Sequence, residues 1–199
     1  MRYYEHICGW FDFPDIYLEA INKANDGDIL VEIGTFLGKS ACFMAEEIEK
    51  SNKKLQFNCV DVWELTKDDE YKKENNMPWG EKVSKYMERC GQDALYWHFQ
   101  HNIKYAPGGH LIKPIREYSW DGAKYFKDNS CHFIFIDAGH SYESFTKDLE
   151  AWYPKMKSGG IFAGHDIIGE SIQKALKEFC VKNNINKVYQ SNASWMLYT

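Results

Sequence analysis

The sequence lacks the features that mark secreted and membrane proteins. It contains no C-x-x-C pair, and its six cysteines are scattered along 199 residues. Cysteines spaced in this way are typical of reduced, buried thiols and argue against a disulfide framework. No run of about 18 apolar residues is present, and the N-terminus lacks a signal peptide's apolar core. We therefore expect a cytoplasmic protein that makes no contact with a membrane.

There is also no excess of basic residues. The chain has 24 Lys and Arg against 29 Asp and Glu, which gives a net charge of −5. Non-specific binding to nucleic acid draws most of its free energy from neutralised phosphates. We therefore expect no nucleic-acid partner.

What is present is an ordinary globular composition, with 44% hydrophobic and 27% charged residues. The length predicts a single domain over residues 1–199, in which residues 1–27 form a helical lead-in. The aromatic content is high, at 16%, and we interpret it as an aromatic-rich core rather than a stacking surface.

Short apolar runs alternate with segments of helical periodicity along the chain. We predict strands over residues 29–33, 55–60, 110–115, 132–137 and 161–163. We predict helices over 14–25, 40–49, 80–105 with a break at Gly91, 119–126, a segment capped by Ser141, and 170–181. Residues 187–190 and 194–198 are typical of a hairpin. Apolar strands joined by helices indicate an α/β fold, a parallel sheet covered on both faces.

Polar residues follow four of these strands. Glu32 to Ser40 comes at the end of the first strand, and Asp61 follows the second. Asp137 and His140 follow the fourth strand, and His165-Asp166 follows the fifth. Ligands of open doubly wound sheets bind beyond the carboxyl ends of the strands. Crowded carboxylates are costly there unless they are paired or bound to a cation, so this edge is the predicted functional site.

The first of these loops has glycines at Gly34 and Gly38, where a sharp turn lets a ligand approach the backbone. Its spacing is not that of the dinucleotide motif G-x-G-x-x-G. Asp61 ends the next strand, where a carboxylate can accept both hydroxyls of a ribose. Together these residues predict an adenosine-type ligand.

Four segments carry a resemblance to a known family: VEIGTFLGKS (31–40), VDVW (60–63), residues 133–166 and WMLY (195–198). The chain resembles class I S-adenosylmethionine-dependent methyltransferases over roughly residues 28–199. More narrowly, it is similar to the small O-methyltransferases related to cephalosporin-biosynthesis and macrocin-type (macrolide sugar) enzymes. The resemblance implies a Rossmann-like seven-stranded sheet, mostly parallel with an antiparallel C-terminal hairpin strand. It also implies S-adenosyl-L-methionine as cofactor and a small hydroxylated acceptor: a sugar, a catechol or a natural product.

The same resemblance assigns site residues. The residues that match cofactor-binding positions are Glu32, Gly34, Thr35, Gly38, Ser40, Asp61 for the ribose, Ser119 near the adenine, and Asp137. Asp137 and Asp166 match the acids of metal-dependent members, and His165 is a candidate nitrogen ligand.

The residues themselves also favour a divalent cation. Two carboxylates as close as Asp137 and Asp166 would repel each other without a cation between them. Oxygen ligands favour Mg²⁺, with Mn²⁺ or Ca²⁺ as alternatives. His140 follows the flexible Ala138-Gly139 pair and can act as general base near neutral pH. The alternative is that His140 merely precedes the helix cap at Ser141.

Other interpretations stay open from the sequence. The chain could be a nicotinamide-dependent oxidoreductase on a similar sheet, although G-x-G-x-x-G is missing, or a non-catalytic S-adenosylmethionine-binding protein. Residues 62–80 are polar and form either a lid or a plain surface loop. A homo-oligomer is also compatible with the sequence.

Overall fold

The computed structural model describes residues 1–64, 76–77 and 80–199. Its centre is a seven-stranded sheet with the strand order β3-β2-β1-β4-β5-β7-β6. The strands are β1 (Ile29–Ile33), β2 (Gln56–Asp61), β3 (Ile112–Arg116), β4 (Cys131–Ile136), β5 (Met156–Gly164), β6 (Tyr189–Ser191) and β7 (Ser194–Tyr198). The first five are parallel, whereas β7 runs antiparallel to β5 and β6. This confirms the predicted Rossmann-like sheet with an antiparallel C-terminal strand.

Seven α-helices are described: α1 (Pro14–Lys23), α2 (Lys39–Ser51), α3 (Val83–Cys90), α4 (Ala94–Tyr105), α5 (Ser119–Gly122), α6 (Tyr142–Trp152) and α7 (Glu170–Lys182). Apolar side chains of α1, α2 and α4 pack on one face of the sheet, and those of α6 and α7 pack on the other. All six residues of β4 are buried, because this central strand is covered on both sides. No helix of the described residues is long and apolar enough to cross a membrane.

Local chemistry explains where several elements begin and end. Gly91 separates α3 from α4, as predicted, with a φ of 96° that few other residues adopt. Ser141 caps α6, because its hydroxyl accepts a hydrogen bond from the Ser144 amide.

Several predicted strand bounds differ from the structure, and two differences among the parallel strands have a clear local cause. Strand β5 begins at Met156, not at Ile161, because the predicted turn at Gly159-Gly160 is instead a bulge inside the strand. Strand β3 begins at Ile112, because the 3₁₀ turn Gly109–Leu111 takes up the first residues of the predicted strand.

The order of strands reverses between β1 and β4, since β1 leads outward to β2 and β3 while β4 leads to β5. The loops after these central strands therefore diverge and leave a crevice at the carboxyl edge of the sheet. All the polar strand ends predicted from the sequence face this edge.

Candidate functional site

The loop between β1 and α2 approaches the end of β4 very closely. A Cβ atom on Gly34 would lie 2.0 Å from the main-chain oxygen of Asp137, and the φ of Gly34 is 85°. The Asp137 amide donates a hydrogen bond to the Ile33 carbonyl at 2.8 Å. Only glycine fits at position 34, so the close contact of the two strand ends depends on it.

Asp61 holds the same loop from the neighbouring strand. Its carboxylate accepts hydrogen bonds from the Phe36 amide at 2.9 Å and from the Trp63 amide at 2.7 Å. These two hydrogen bonds fix the position of the Asp61 carboxylate relative to the loop. The predicted ribose acid is thus also the residue that shapes the loop.

Trp63 completes this arrangement, and the sequence interpretation missed its role. The indole Nε1 donates to the Phe36 carbonyl at 2.8 Å, and the side chain is buried against Phe99. The only signal in the sequence was the tryptophan of VDVW, two residues after Asp61.

Beneath the loop lies a buried carboxylic acid. Glu32 points from β1 toward α2, where the Ser40 hydroxyl donates to Glu32 Oε1 at 2.6 Å, and the Tyr17 hydroxyl of α1 lies beside it. Burial raises the pKa of Glu32 to about 8, against the opposing effect of the Ser40 hydrogen bond. Glu32 therefore carries a proton at neutral pH.

Thr35 is also buried at this point, and its hydroxyl finds no hydrogen-bond partner among the described residues. The first helical turn of α2 begins four residues later and has no side-chain cap, because Gly38 occupies the cap position. The structure brings together five residues of β1, the loop and the start of α2, and their role in binding the cofactor stays a prediction: Glu32, Gly34, Thr35, Gly38 and Ser40.

Ser119 lies further away, at the start of α5. Its carbonyl accepts a hydrogen bond from the indole of Trp152 at 2.9 Å. Behind it, on α6, the Asp148 carboxyl is fully buried, and burial raises the pKa of Asp148 to about 7. Ser119 does not line the cavity described below.

The ends of β4 and β5 bring three chemically active side chains together. One ligand atom from each of Asp137, His140 and Asp166 lies within 4.8 Å of the others. His140 Nε2 lies 2.7 Å from Asp166 Oδ2. Asp166 has a φ of 58°, an uncommon conformation for a residue with a side chain, which turns its carboxylate back toward the cluster.

His165 lies at the edge of this cluster. Its Nε2 is 3.0 Å from Asp12 Oδ1, and its Nδ1 is 3.3 Å from Asp166 Oδ2. Burial would lower the pKa of His165, but the Asp166 hydrogen bond and the charge of Asp137 outweigh burial and raise the pKa to about 9. Conversely, the two imidazoles hold the pKa of Asp166 far below its ordinary value, although burial opposes this.

The donor set of the cluster fits a divalent cation. Asp137 and Asp166 offer carboxylate oxygens, and His140 offers an imidazole nitrogen. Mg²⁺ and Mn²⁺ prefer oxygen ligands, and Mn²⁺ also accepts nitrogen. His165 faces Asp166 and Asp12 as a charge partner, so the assignment of His165 as a nitrogen ligand stays a prediction.

One cavity is lined both by the β1–α2 loop and by Asp137 and His140 of the cluster. Its volume is about 40 Å³, room for only a few water molecules. The residues that line the cavity are Cys8, Gly9, Trp10, Gly34, Thr35, Phe36, Lys39, Ser40, Asp137 and His140.

Three of these lining residues belong to the N-terminal strap, residues 8–12, which the sequence did not connect to the site. The Cys8 thiol donates to the Asn76 carbonyl at 3.2 Å, and Asp12 contacts His165. The strap thus crosses the carboxyl edge of the sheet. Most of the predicted lid, 62–80, lies outside the described residues; Asn76 and Met77 are described, and Met77 is buried.

Comparison with known proteins gives a consistent result. Residues 31–167 match the family described as "Methyltransferase domain". No curated protein matched the chain.

Three solved structures illustrate the likeness of fold. The O-methyltransferase NovP is similar with a TM-score of 0.65 and 16% identity, over 93% of this chain and 76% of that one. CalS11, a TDP-rhamnose 3′-O-methyltransferase of calicheamicin biosynthesis, has a TM-score of 0.57 and 12% identity, over 92% and 75%. TomG from Streptomyces achromogenes, an O-methyltransferase of tomaymycin synthesis in complex with SAM, has a TM-score of 0.58 and 13% identity, over 94% and 78%.

Proposed function

The chain belongs to the methyltransferase domain family, and we propose that it transfers the methyl group of S-adenosyl-L-methionine to a hydroxyl of a small acceptor. The observation that carries this proposal is that one cavity is lined both by the β1–α2 loop and by Asp137 and His140. A cofactor bound along the loop would place its methyl group near Asp137 and His140, the side chains that can accept a proton. The missing dinucleotide motif and the family match disfavour the nicotinamide alternative.

We assign the cofactor to the ends of β1 and β2. Asp61 would accept the ribose hydroxyls while it holds the loop through the Phe36 and Trp63 amides. Gly34 and Gly38 shape the loop for the cofactor, since Gly34 lies against the main chain of Asp137 and Gly38 lies against Phe99. Ser119 is assigned to the adenine side. Because the methyl group is already activated on a sulfonium, the protein has mainly to align the acceptor oxygen with it.

We assign the proton transfer to His140. His140 Nε2 lies 2.7 Å from Asp166 Oδ2, and the negative charge of this carboxylate favours a proton on Nε2. In the neutral imidazole this leaves Nδ1 as the acceptor for the proton of the substrate hydroxyl. Asp166 would orient the ring and stabilise the imidazolium, and a base of this kind contributes roughly 10²- to 10⁴-fold.

Asp137 and Asp166 would hold a divalent cation, with His165 or His140 as nitrogen ligand. When bound, such a cation supplies positive charge that lowers the pKa of an acceptor hydroxyl. The two roles of His140, base and ligand, are distinguished by the metal dependence of turnover.

The acceptor class is proposed from chemistry and from the similar proteins. NovP, CalS11 and TomG are named as O-methyltransferases, and CalS11 acts on TDP-rhamnose. The TDP-rhamnose of CalS11 supports a sugar as acceptor here, and a catechol or another hydroxylated natural product is proposed beside it.

Two measurements test the proposal. Calorimetric titration with S-adenosyl-L-methionine and with NAD should give binding of the first only. Transfer of a labelled methyl group to a panel of catechols and sugar diols, with and without EDTA, then tests catalysis. Binding of NAD alone would contradict the proposal, and cofactor binding with no transfer to any member would favour a non-catalytic binding protein.

A further inference from the structure

The N-terminal strap places a tryptophan at the cavity. The side chain of Trp10 is 51% exposed, whereas the apolar residues on either side of the strap, Ile7 and Phe13, are buried. A single exposed apolar side chain is common on protein surfaces and needs no explanation. Trp10 differs because it lines the cavity that is also lined by Asp137 and His140. Its indole therefore lies at the same cavity as the side chain to which we assign the proton transfer.

Trp10 lies between two anchored segments of the chain. Before it, the Cys8 thiol donates a hydrogen bond to the Asn76 carbonyl at 3.2 Å. After it, the ring of Phe13 packs against Phe135 of β4, with the ring centroids 4.4 Å apart. A side chain whose main chain is held on both sides binds a ligand with a small loss of conformational entropy.

A second aromatic ring lines the same cavity. Phe36 packs against the strap, since a Cβ atom on Gly9 would lie 3.9 Å from Phe36 Cδ1. The main chain of Phe36 is fixed by hydrogen bonds, from its amide to Asp61 and from Trp63 to its carbonyl. Because Gly9 precedes Trp10 in the strap, the two rings come from adjacent parts of the lining. Trp10 and Phe36 are called the aromatic pair below.

Few polar side chains are left in the lining for an acceptor. The β1–α2 loop and α2 are assigned to the cofactor, and the other lining residues are Cys8, Gly9, Trp10, Asp137 and His140. Among these described residues, the carboxylate and the imidazole are the strong hydrogen-bonding side chains apart from the indole N–H. Every hydroxyl of a sugar that leaves water needs a partner, and these side chains do not provide one for each. They are enough for a flat ring that carries one or two hydroxyls.

We propose that Trp10 determines the acceptor class, because its indole stacks on the ring of an aromatic alcohol of the catechol type while a hydroxyl of that ring reaches His140. This inference rests on the proposed function and narrows its acceptor to aromatic alcohols. Two aromatic rings in offset-stacked or edge-to-face contact gain free energy beyond that of apolar burial. The hydroxyl of such a ring also gives up its proton far more readily than a sugar hydroxyl.

The first experiment compares two diols on protein saturated with S-adenosylhomocysteine. Catechol and cis-1,2-cyclohexanediol both carry vicinal hydroxyls, and only catechol has an aromatic face. Trp10→Leu removes the indole and keeps an apolar side chain. Calorimetry should show that this change weakens the binding of catechol about 10-fold and that of cyclohexanediol no more than about 2-fold. Trp97→Leu is the matched control, because it removes an exposed indole of α4 that does not line this cavity.

Two further measurements separate stacking from damage to the strap. Since Trp10 is half-exposed, Trp10→Leu should leave the thermal midpoint and the dissociation constant of S-adenosyl-L-methionine unchanged. Trp10→Phe keeps a smaller ring, so it should weaken catechol only a few-fold and leave cyclohexanediol unchanged. If Trp10→Leu does not fold, Trp10→Phe alone carries the comparison of the two diols.

The second experiment measures methyl transfer to catechol and to methyl α-L-rhamnopyranoside. Stacking holds the acceptor before and during the reaction, so Trp10→Leu should raise KM for catechol about 10-fold and leave kcat nearly unchanged. Methylation of the rhamnoside and not of catechol by the wild type would overturn the inference. An equal loss of affinity for both diols in Trp10→Leu, or no loss for either, would also overturn it. In these cases the proposed function stands, whereas a wild type that binds no S-adenosyl-L-methionine overturns the proposed function itself.

Discussion

The two halves of the carboxyl edge of the sheet hold their acids in different ways. At the ends of β1 and β2, Asp61 is bound by main-chain amides and Glu32 by a serine hydroxyl, and Glu32 is neutral. At the ends of β4 and β5, Asp166 contacts two imidazoles. These imidazoles hold the pKa of Asp166 far below its ordinary value, so the carboxyl is ionised.

This difference indicates that the first half of the edge serves binding and the second half serves catalysis. The first half uses acids to shape a loop and to present fixed hydrogen-bond acceptors, which suits the binding of a neutral ribose. The second half places titratable groups in contact, which suits proton transfer and the binding of a cation. Substitutions in the first half should therefore change affinity, and substitutions in the second half should change turnover.

The largest effect is expected in the second half. Asp166→Asn removes a cation ligand and the partner that orients His140, so we expect turnover to fall by roughly 10²-fold or more. The affinity for S-adenosyl-L-methionine should change only a few-fold. Asp128→Asn, at an exposed acid paired with Lys155, is the control. An equal loss of cofactor affinity and of turnover would contradict the proposed division between binding and catalysis.

His140→Ala tests the proton transfer that we assign to the same half of the edge. Loss of the base should lower turnover by about 10²-fold. If His140 is instead a ligand, added Mn²⁺ should restore part of the activity. Near-normal turnover of this variant without added metal would show that His140 takes no part in the reaction.

The next largest effect is expected at the ends of β1 and β2, on the affinity for the cofactor. Asp61→Ala removes paired hydrogen bonds to the ribose and loosens the loop at Phe36, so affinity for the cofactor should fall about 10- to 100-fold. Calorimetry of the variant measures this directly. An unchanged dissociation constant would remove Asp61 from the binding site.

A smaller effect concerns the pH dependence of stability, for which the chain offers two buried acids. The pKa of Glu32 is raised from 4.5 to about 8, and that of Asp148 from 3.8 to about 7. Each folded acid keeps a proton that the unfolded chain has lost, so stability falls as pH rises through these intervals, by at most ~1.4 kcal/mol per unit for each acid.

Glu32→Gln and Asp148→Asn should therefore both flatten the decline of the unfolding free energy between about pH 5 and 8, measured by urea denaturation. Glu32→Gln should also lower cofactor affinity, because Glu32 contacts Ser40, which lines the cavity. If neither variant alters the slope, these carboxyls are not protonated in the folded protein.

The smallest effect is expected at Trp63. Trp63→Phe keeps the packing against Phe99 but removes the hydrogen bond to the Phe36 carbonyl, worth about 1 kcal/mol. Cofactor affinity should fall a few-fold. Trp97→Phe, at an exposed position of α4, is the control and should have no effect.

Much of this fold could be predicted, because apolar runs and helical periodicity depend only on residues that are neighbours in the sequence. Strand β1 was predicted with its bounds, and the strand ends correctly located the Gly34 loop, Asp61 and the Asp137–Asp166 cluster at one edge. The bulge of β5 was missed, because a Gly-Gly pair is equally typical of a turn.

The N-terminal strap could not have been predicted in this way. Its residues have no periodicity, and its position depends on contacts with distant parts of the chain: Cys8 with Asn76, and Asp12 with His165. The direction of the His140 and His165 rings likewise depends on partners that come together only in the folded chain.

A crystal structure with S-adenosylhomocysteine and Mn²⁺ tests the central claim most directly. We predict the ribose on Asp61, the sulfur in the cavity between Gly34 and His140, and an anomalous peak at Asp137 and Asp166. A homocysteine end directed away from this cavity would contradict the account, because the reacting methyl group would then lie out of reach of the cluster.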